Sequence, residues 1–81
     1  MEVRLTPESQ KQFERLPSPE KQKVAKKLTA LSSELVIGKK LTGKFADLFS
    51  LKAWPYRIIY LVDFKRTRWV VSILHRQGAY K

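Results

Sequence analysis

From its first residues the chain alternates: Val3 and Leu5 fall on one side, Glu2 and Arg4 on the other. A period of two over so few residues predicts a short edge strand. The period then lengthens. Thr6-Pro7-Glu8 is a helix start, with Thr6 as N-cap and Pro7 at the first helical position, where its missing N–H costs nothing. The spacing of Phe13 and Leu16 predicts a helix to about Leu16 with both facing inward, and Pro17 ends it. Ser18-Pro19-Glu20 repeats the start signal and predicts a second helix of about fifteen residues. Val24, Leu28 and Leu31 form its apolar stripe, flanked by Lys21, Lys23, Lys26 and Lys27. Gly38, Lys39 and Lys40 through Gly43 read as a connection.

From Asp47 onward the period returns to that of strands. Leu48–Trp54, Tyr56–Asp63 and Arg68–Arg76 are three candidates, separated by Pro55 and by a turn at Phe64-Lys65-Arg66-Thr67. Tyr56-Arg57-Ile58-Ile59-Tyr60-Leu61-Val62 is the strongest, β-branched, aromatic and nearly all apolar, as a central strand requires. The expected fold is α+β, in the order β-α-α-β-β-β. An N-terminal strand and an antiparallel two-helix hairpin precede a three-stranded antiparallel sheet, with the helices on one face. A single domain spans residues 1–81, since the length suffices for one core and not for two.

Alternation also sorts the polar residues. On the last strand Arg68, Val70, Ser72, Leu74 and Arg76 share one face, while Trp69, Val71, Ile73 and His75 share the other. With Val71 and Ile73 read as core-facing, Arg76 falls on the open face and His75 points toward the helices, unless a bulge resets the register. Arg57 shares a face with Ile59 and Leu61. Leu48, Ser50, Lys52 and Trp54 share another, with Phe49, Leu51 and Ala53 toward the core. Lys52, Arg57 and Arg76 are therefore expected to converge on the open face.

Charge sharpens this picture. The net charge is +10, and its placement is uneven. Residues 1–38 hold seven Lys/Arg against five Glu, a net +2; residues 39–81 hold ten against Asp47 and Asp63, a net +8. A field of this kind speaks to partners, and a polyanion is the natural one. No segment is long and apolar enough to span a bilayer, and no basic helix has a strong apolar face. The N-terminus lacks the apolar run of a signal peptide, and there are no cysteines. A cytoplasmic location without membrane association is expected.

Familiar catalytic sets are missing. One histidine and no cysteine give no metal-ligand cluster, so no metal or cofactor is expected. GKKLTGK lacks the spacing of a P-loop. An enzyme built from this chain works with Arg, Lys, Tyr and His. Those groups suit cleavage of RNA by its own 2′-hydroxyl, because the substrate supplies the nucleophile. The protein then orients it, stabilises the phosphorane, a task for Arg, and protonates the leaving oxygen.

The run Leu51-Lys52-Ala53-Trp54-Pro55-Tyr56-Arg57-Ile58-Ile59-Tyr60 resembles a segment of the RelE/ParE toxin superfamily. Ser72-Ile73-Leu74-His75-Arg76 with Tyr80 resembles the end of that family's last strand, and Lys40-Leu41-Thr42-Gly43 a stretch before its sheet. The order of elements agrees, and the resemblance spans nearly the whole chain, closer to the RelE branch. It implies the toxin of a type II toxin–antitoxin pair that cleaves messenger RNA on the ribosome, with a cognate antitoxin wrapping it. By position, Arg57 and Arg76 would stabilise the phosphate, Tyr80 would orient or help deprotonate the 2′-hydroxyl, and Lys52 would grip RNA. His75 would compensate for the two basic residues of the best-known RelE proteins that are Leu48 and Ser50 here. Lys39, Lys40, Lys44 and Arg68 would add RNA-steering charge, and Trp54 a surface for base stacking. Two alternatives share the fold: a ParE-like inhibitor of DNA gyrase that cuts nothing, and a silent RNA-binding homologue.

Overall fold

Thr6 starts the first helix as the sequence predicts. Its backbone is extended and its hydroxyl accepts a hydrogen bond from the Ser9 N–H at 3.2 Å. The computed structural model describes residues 2–33, 38–41 and 48–75. Helix α1 spans Pro7–Glu14, and Leu16 packs against the core just beyond its end. Two bonds tie the helix start to the sheet. The Thr6 N–H donates to the Val70 carbonyl at 3.0 Å, and the fully buried Ser9 hydroxyl donates to the same oxygen at 2.7 Å. Helix α2, Ser18–Ser32, has the expected fifteen residues. Its cap position is Pro17, however; Ser18 lies inside the first turn and makes no capping bond.

Five strands form one sheet: β1 (Val3–Leu5), β2 (Lys39–Lys40), β3 (Phe49–Ala53), β4 (Tyr56–Val62) and β5 (Arg68–His75), in the order β1-β5-β4-β3-β2. β1 runs parallel to β5, and the remaining pairs are antiparallel. β4, with the strongest strand pattern, is central. Lys39–Lys40, expected to be a connection, instead pairs with Ser50 and Phe49 and makes the far edge. Two consecutive lysines carry no apolar alternation, so pairing rather than propensity defines that strand. Edge lysines also discourage pairing with other chains.

The helices pack on one face. Val24 and Leu31 of α2 meet Leu51, Ala53, Ile58, Tyr60, Val70 and Ile73 in the core. The Phe49 and Tyr60 rings stack at 5.2 Å, 12° apart. A bulge in β5 corrects the expected alternation. Ile59 pairs with Ser72 and Tyr60 with Val70, which leaves Val71 as the additional residue. Val70 is therefore fully buried and Val71 only partly, the reverse of the simple alternation. Arg68 shares the face of Val70. It is 7% exposed, and its guanidinium donates to the Leu31 carbonyl near the end of α2. A positive charge at a helix C-terminus satisfies an orphan carbonyl and complements the helix dipole.

Gly38 enters β2 over Tyr60. Its N–H donates to the Tyr60 hydroxyl at 2.8 Å, and a Cβ there would sit 2.8 Å from the Tyr60 ring and 3.0 Å from the Ser50 carbonyl oxygen. Only glycine fits without displacement. At the β4–β5 turn, Arg66 adopts φ 66°, and the Asp63 carboxylate accepts from the N–H groups of Lys65 and Thr67, each at 2.9 Å, and from Trp69 Nε1 at 3.0 Å. Partial burial pushes the Asp63 carboxyl up. The bonds from Thr67, Trp69 and Lys65, with the Lys65 charge, outweigh it and hold the group below its ordinary value.

Two outcomes follow from these contacts. Tyr60→Phe leaves the buried Gly38 N–H unpaired and lowers unfolding free energy by about 1–3 kcal/mol in urea titration. A carboxyl held below its unfolded-state value contributes stability that is complete above the unfolded value and lost as pH falls through the folded one. Thermal denaturation across acid pH should therefore fall less steeply in Asp63→Asn than in the native chain, and the variant should be the less stable of the two near neutrality.

Candidate nucleic-acid interface

Helices cover one side of the sheet, and the alternate residues of β3 and β4 point to the other, where Lys52 is exposed, Arg57 half-buried, and Ser50 and Ile59 buried. Register brings Lys52 directly opposite Arg57, and Arg57 in turn opposite Leu74. Side chains opposite one another in an antiparallel pair lie about 4.5–5.5 Å apart at Cβ, and like charges placed there repel. An anion between the two removes the repulsion, and a guanidinium can grip a phosphate through two parallel bonds.

Lys39 joins them from β2. It pairs with Ser50, which pairs with Ile59, so Lys39, Ser50 and Ile59 form a row beside Lys52 and Arg57. A concavity of about 240 Å³ is lined by Gly38, Lys39, Leu41, Ser50, Leu51, Lys52 and Arg57. That is below the usual range for an enclosed small-molecule pocket, about 300–1,000 Å³. Its size and surface position suit a phosphate and its sugar on a passing strand. Gly38, Leu41 and Ser50 were not singled out as site residues in the sequence. Ser50 carried two signals, the period it shares with Lys52 and its place where the resemblance puts a basic residue.

The other expected site residues divide. Lys40 pairs with Phe49, whose ring stacks on Tyr60, so it lies on the opposite side of the sheet from Lys39. Trp54 is 62% exposed at the β3–β4 turn. Arg68 is corrected outright: the β5 bulge turns it inward to the end of α2, and it belongs to the core instead of the RNA-steering surface. His75 is exposed, pairs with Tyr56, and meets that ring edge-on at 5.4 Å. Its register puts it on the side opposite Arg57, with Ile73, as the simple alternation from Ile73 predicts. Lys44, Arg76 and Tyr80 lie outside the described residues. Among the described residues, no three His, Cys, Asp or Glu side chains cluster as metal ligands, and no helix is long and apolar enough to cross a membrane.

A two-helix layer on one side of a five-stranded sheet, with Lys52 and Arg57 paired on the other, defines a small α+β protein. Solved toxin structures share this architecture. A chain of the RelBE2 toxin–antitoxin complex from Mycobacterium tuberculosis is similar at TM-score 0.82 and 28% identity, over 93% of this chain and 96% of that one. The isolated Escherichia coli RelE toxin is similar at TM-score 0.74 and 19% identity, over 91% and 82%. A chain of the archaeal RelE–RelB complex from Pyrococcus horikoshii is similar at TM-score 0.73 and 23% identity, over 96% and 97%. A search of curated proteins finds no match. The family model for the ParE toxin of type II toxin–antitoxin systems matches residues 3–80. The chain belongs to that family, and it is a toxin of the RelE/ParE superfamily.

The two described arginines among the expected site residues, Arg57 and Arg68, sit in separable places. Arg68→Ala should lower stability by about 2–4 kcal/mol, because it opens a cavity and strips the Leu31 carbonyl of its donor. The folded variant should bind RNA with native affinity and salt dependence. Denaturant titration and fluorescence anisotropy measure the two effects separately.

Proposed function

We propose that this toxin is a ribosome-dependent mRNA endonuclease that cuts without metal, through attack of the ribose 2′-hydroxyl on the adjacent phosphate, and thereby inhibits translation. The observation that carries the reading is the Lys52–Arg57 pair, two cations held opposite each other on the side of the sheet away from the helices. Arg57 stabilises charge as the phosphorane forms, and Lys52 grips the strand. By the family resemblance, Arg76 would act on the same phosphate and Tyr80 on the 2′-hydroxyl. His75 has a more distant part, since its register sets it across the sheet from Arg57. The net charge of +10 adds a field that draws a polyanion in. The site acts in the cytoplasm, where ribosomes and mRNA are found.

A cognate antitoxin with an acidic segment is the second expected partner. Complexes of RelE with RelB among the structural neighbours support this. Such a segment meets the same basic sheet and neutralises it.

One observation favours a different target. Leu48 and Ser50 stand where the best-known RelE toxins carry basic residues, and the matching family model is that of the ParE toxin. A gyrase inhibitor without nuclease activity fits that feature. Mapping mRNA 5′ ends on translating ribosomes, beside a gyrase supercoiling assay, separates the two. The expected result is codon-positioned cleavage that falls about 10²–10³-fold in Arg57→Ala, the usual cost of removing one transition-state donor, and falls similarly in Arg76→Ala. Intact mRNA with blocked supercoiling contradicts it.

A further inference from the structure

The β4–β5 turn carries an aromatic ring that the core does not use. Phe64 is 92% exposed, the most open of the large apolar side chains among the described residues. The turn that holds it is closed by several bonds. The Asp63 N–H donates to the Thr67 carbonyl at 3.0 Å, and the Arg66 N–H donates to the Asp63 carbonyl at 2.9 Å. The Asp63 carboxylate adds its bonds from Lys65, Thr67 and Trp69. A ring on a turn tied in this way is held ready, and binding it loses less freedom than binding a loose loop.

Two cations stand beside the ring. The Lys65 ammonium lies 5.9 Å from the centre of Phe64, and Arg66 is exposed next to it. Arg66 holds a left-handed φ of 66°, a conformation that is costly for a residue with a Cβ and free for glycine. The turn therefore keeps a guanidinium where glycine would fold better. Asp63 is the one acid of the turn, and its carboxylate is occupied by donors of the turn itself and Trp69. Five places along β4 separate Arg57 from Val62, about 17 Å of strand. The tip thus lies well away from the concavity at Lys52 and Arg57.

An exposed ring between cations suits two classes of partner, and area decides between them. A stable protein interface buries about 800 Å² on each side. One aromatic side chain supplies about 150–250 Å², and lysine is depleted from such interfaces. An unpaired base asks for less, a ring face to stack on and a cation for its phosphate.

We propose that the β4–β5 turn is a base-stacking contact, in which Phe64 takes an unpaired nucleobase of single-stranded RNA and Lys65 and Arg66 meet the phosphates beside it. That the strand is RNA rests on the nuclease reading above; the ring accepts any base. The contact adds to the grip on the strand and takes no part in the chemical step.

The test is fluorescence anisotropy on the whole chain with two probes of equal length and charge, across a salt series. One probe is a short oligouridylate, the other the same sugar–phosphate chain without bases. Phe64→Leu should lose about tenfold in affinity for the oligouridylate, the scale of one stacked base. Its affinity for the base-free chain and its melting temperature should stay native. Phe64→Trp should bind the oligouridylate at least as tightly as the native chain, because it keeps an aromatic face. Arg66→Gly should bind both probes more weakly and lose about 0.7 from the slope of log K against log salt. It should also melt at or above the native temperature, since glycine suits the left-handed position. Native affinity of Phe64→Leu for the oligouridylate overturns the proposal, as does an equal loss for the base-free chain or an equal loss in Phe64→Trp. If ribosomal mRNA stays intact while Phe64→Leu loses the oligouridylate, the nuclease reading fails and the contact stands. If mRNA is cut while Phe64→Leu binds as the native chain does, the contact fails, the nuclease reading stands, and the tip is left to a protein partner.

Discussion

Because successive residues of a strand point to opposite faces, burying Ile58 and Tyr60 against the helices commits Arg57 and Ile59 to the other side of β4. Much of the site depends on that sorting. β4 is central, so its pleat is imposed on β3, and Lys52 comes to stand opposite Arg57. Tyr60 carries the constraint further still. Its ring stacks on Phe49 within the core, and its hydroxyl receives the Gly38 N–H that starts the edge strand. Packing on the helix side thus fixes where charge appears on the other side. In a domain this small, a few buried side chains decide both.

β5 shows what happens when the pleat is interrupted. One residue, Val71, stands outside the pairing, and the two ends of the strand answer to different alternations. Val70 and Arg68 turn inward at one end, while Ile73 does so at the other. The inward arginine satisfies a carbonyl at the end of α2, a helix with no basic residue in its own last turn. A charge that counts toward the basic surface in composition is therefore spent on joining helix to sheet.

Much of this was legible in the residues. Thr6 and Pro7 marked the first helix, the Val24, Leu28 and Leu31 stripe the second, and the run from Tyr56 to Val62 the central strand. The convergence of Lys52 and Arg57 followed from period two alone. What escaped was non-local. Lys39–Lys40 has no strand pattern of its own and is defined by pairing with β3. The bulge at Val71 leaves no mark in a run of Val-Val-Ser-Ile, where every residue suits a strand, and so the inward turn of Arg68 could not be read. Arg76, Tyr80 and Lys44 fall outside the described residues, and their roles rest on the resemblance alone.

The central claim is that the sheet face away from the helices, and not the lysine-rich helix layer, is the working surface. Backbone amide shifts of the isotope-labelled chain, titrated with a single-stranded oligoribonucleotide, test it most directly. The account predicts changes concentrated at Lys39, Ser50, Lys52 and Arg57, and at Phe64 on the β4–β5 turn, with Lys23 and Lys26 of α2 unmoved. Changes centred on the helix lysines, with the sheet residues silent, would contradict it.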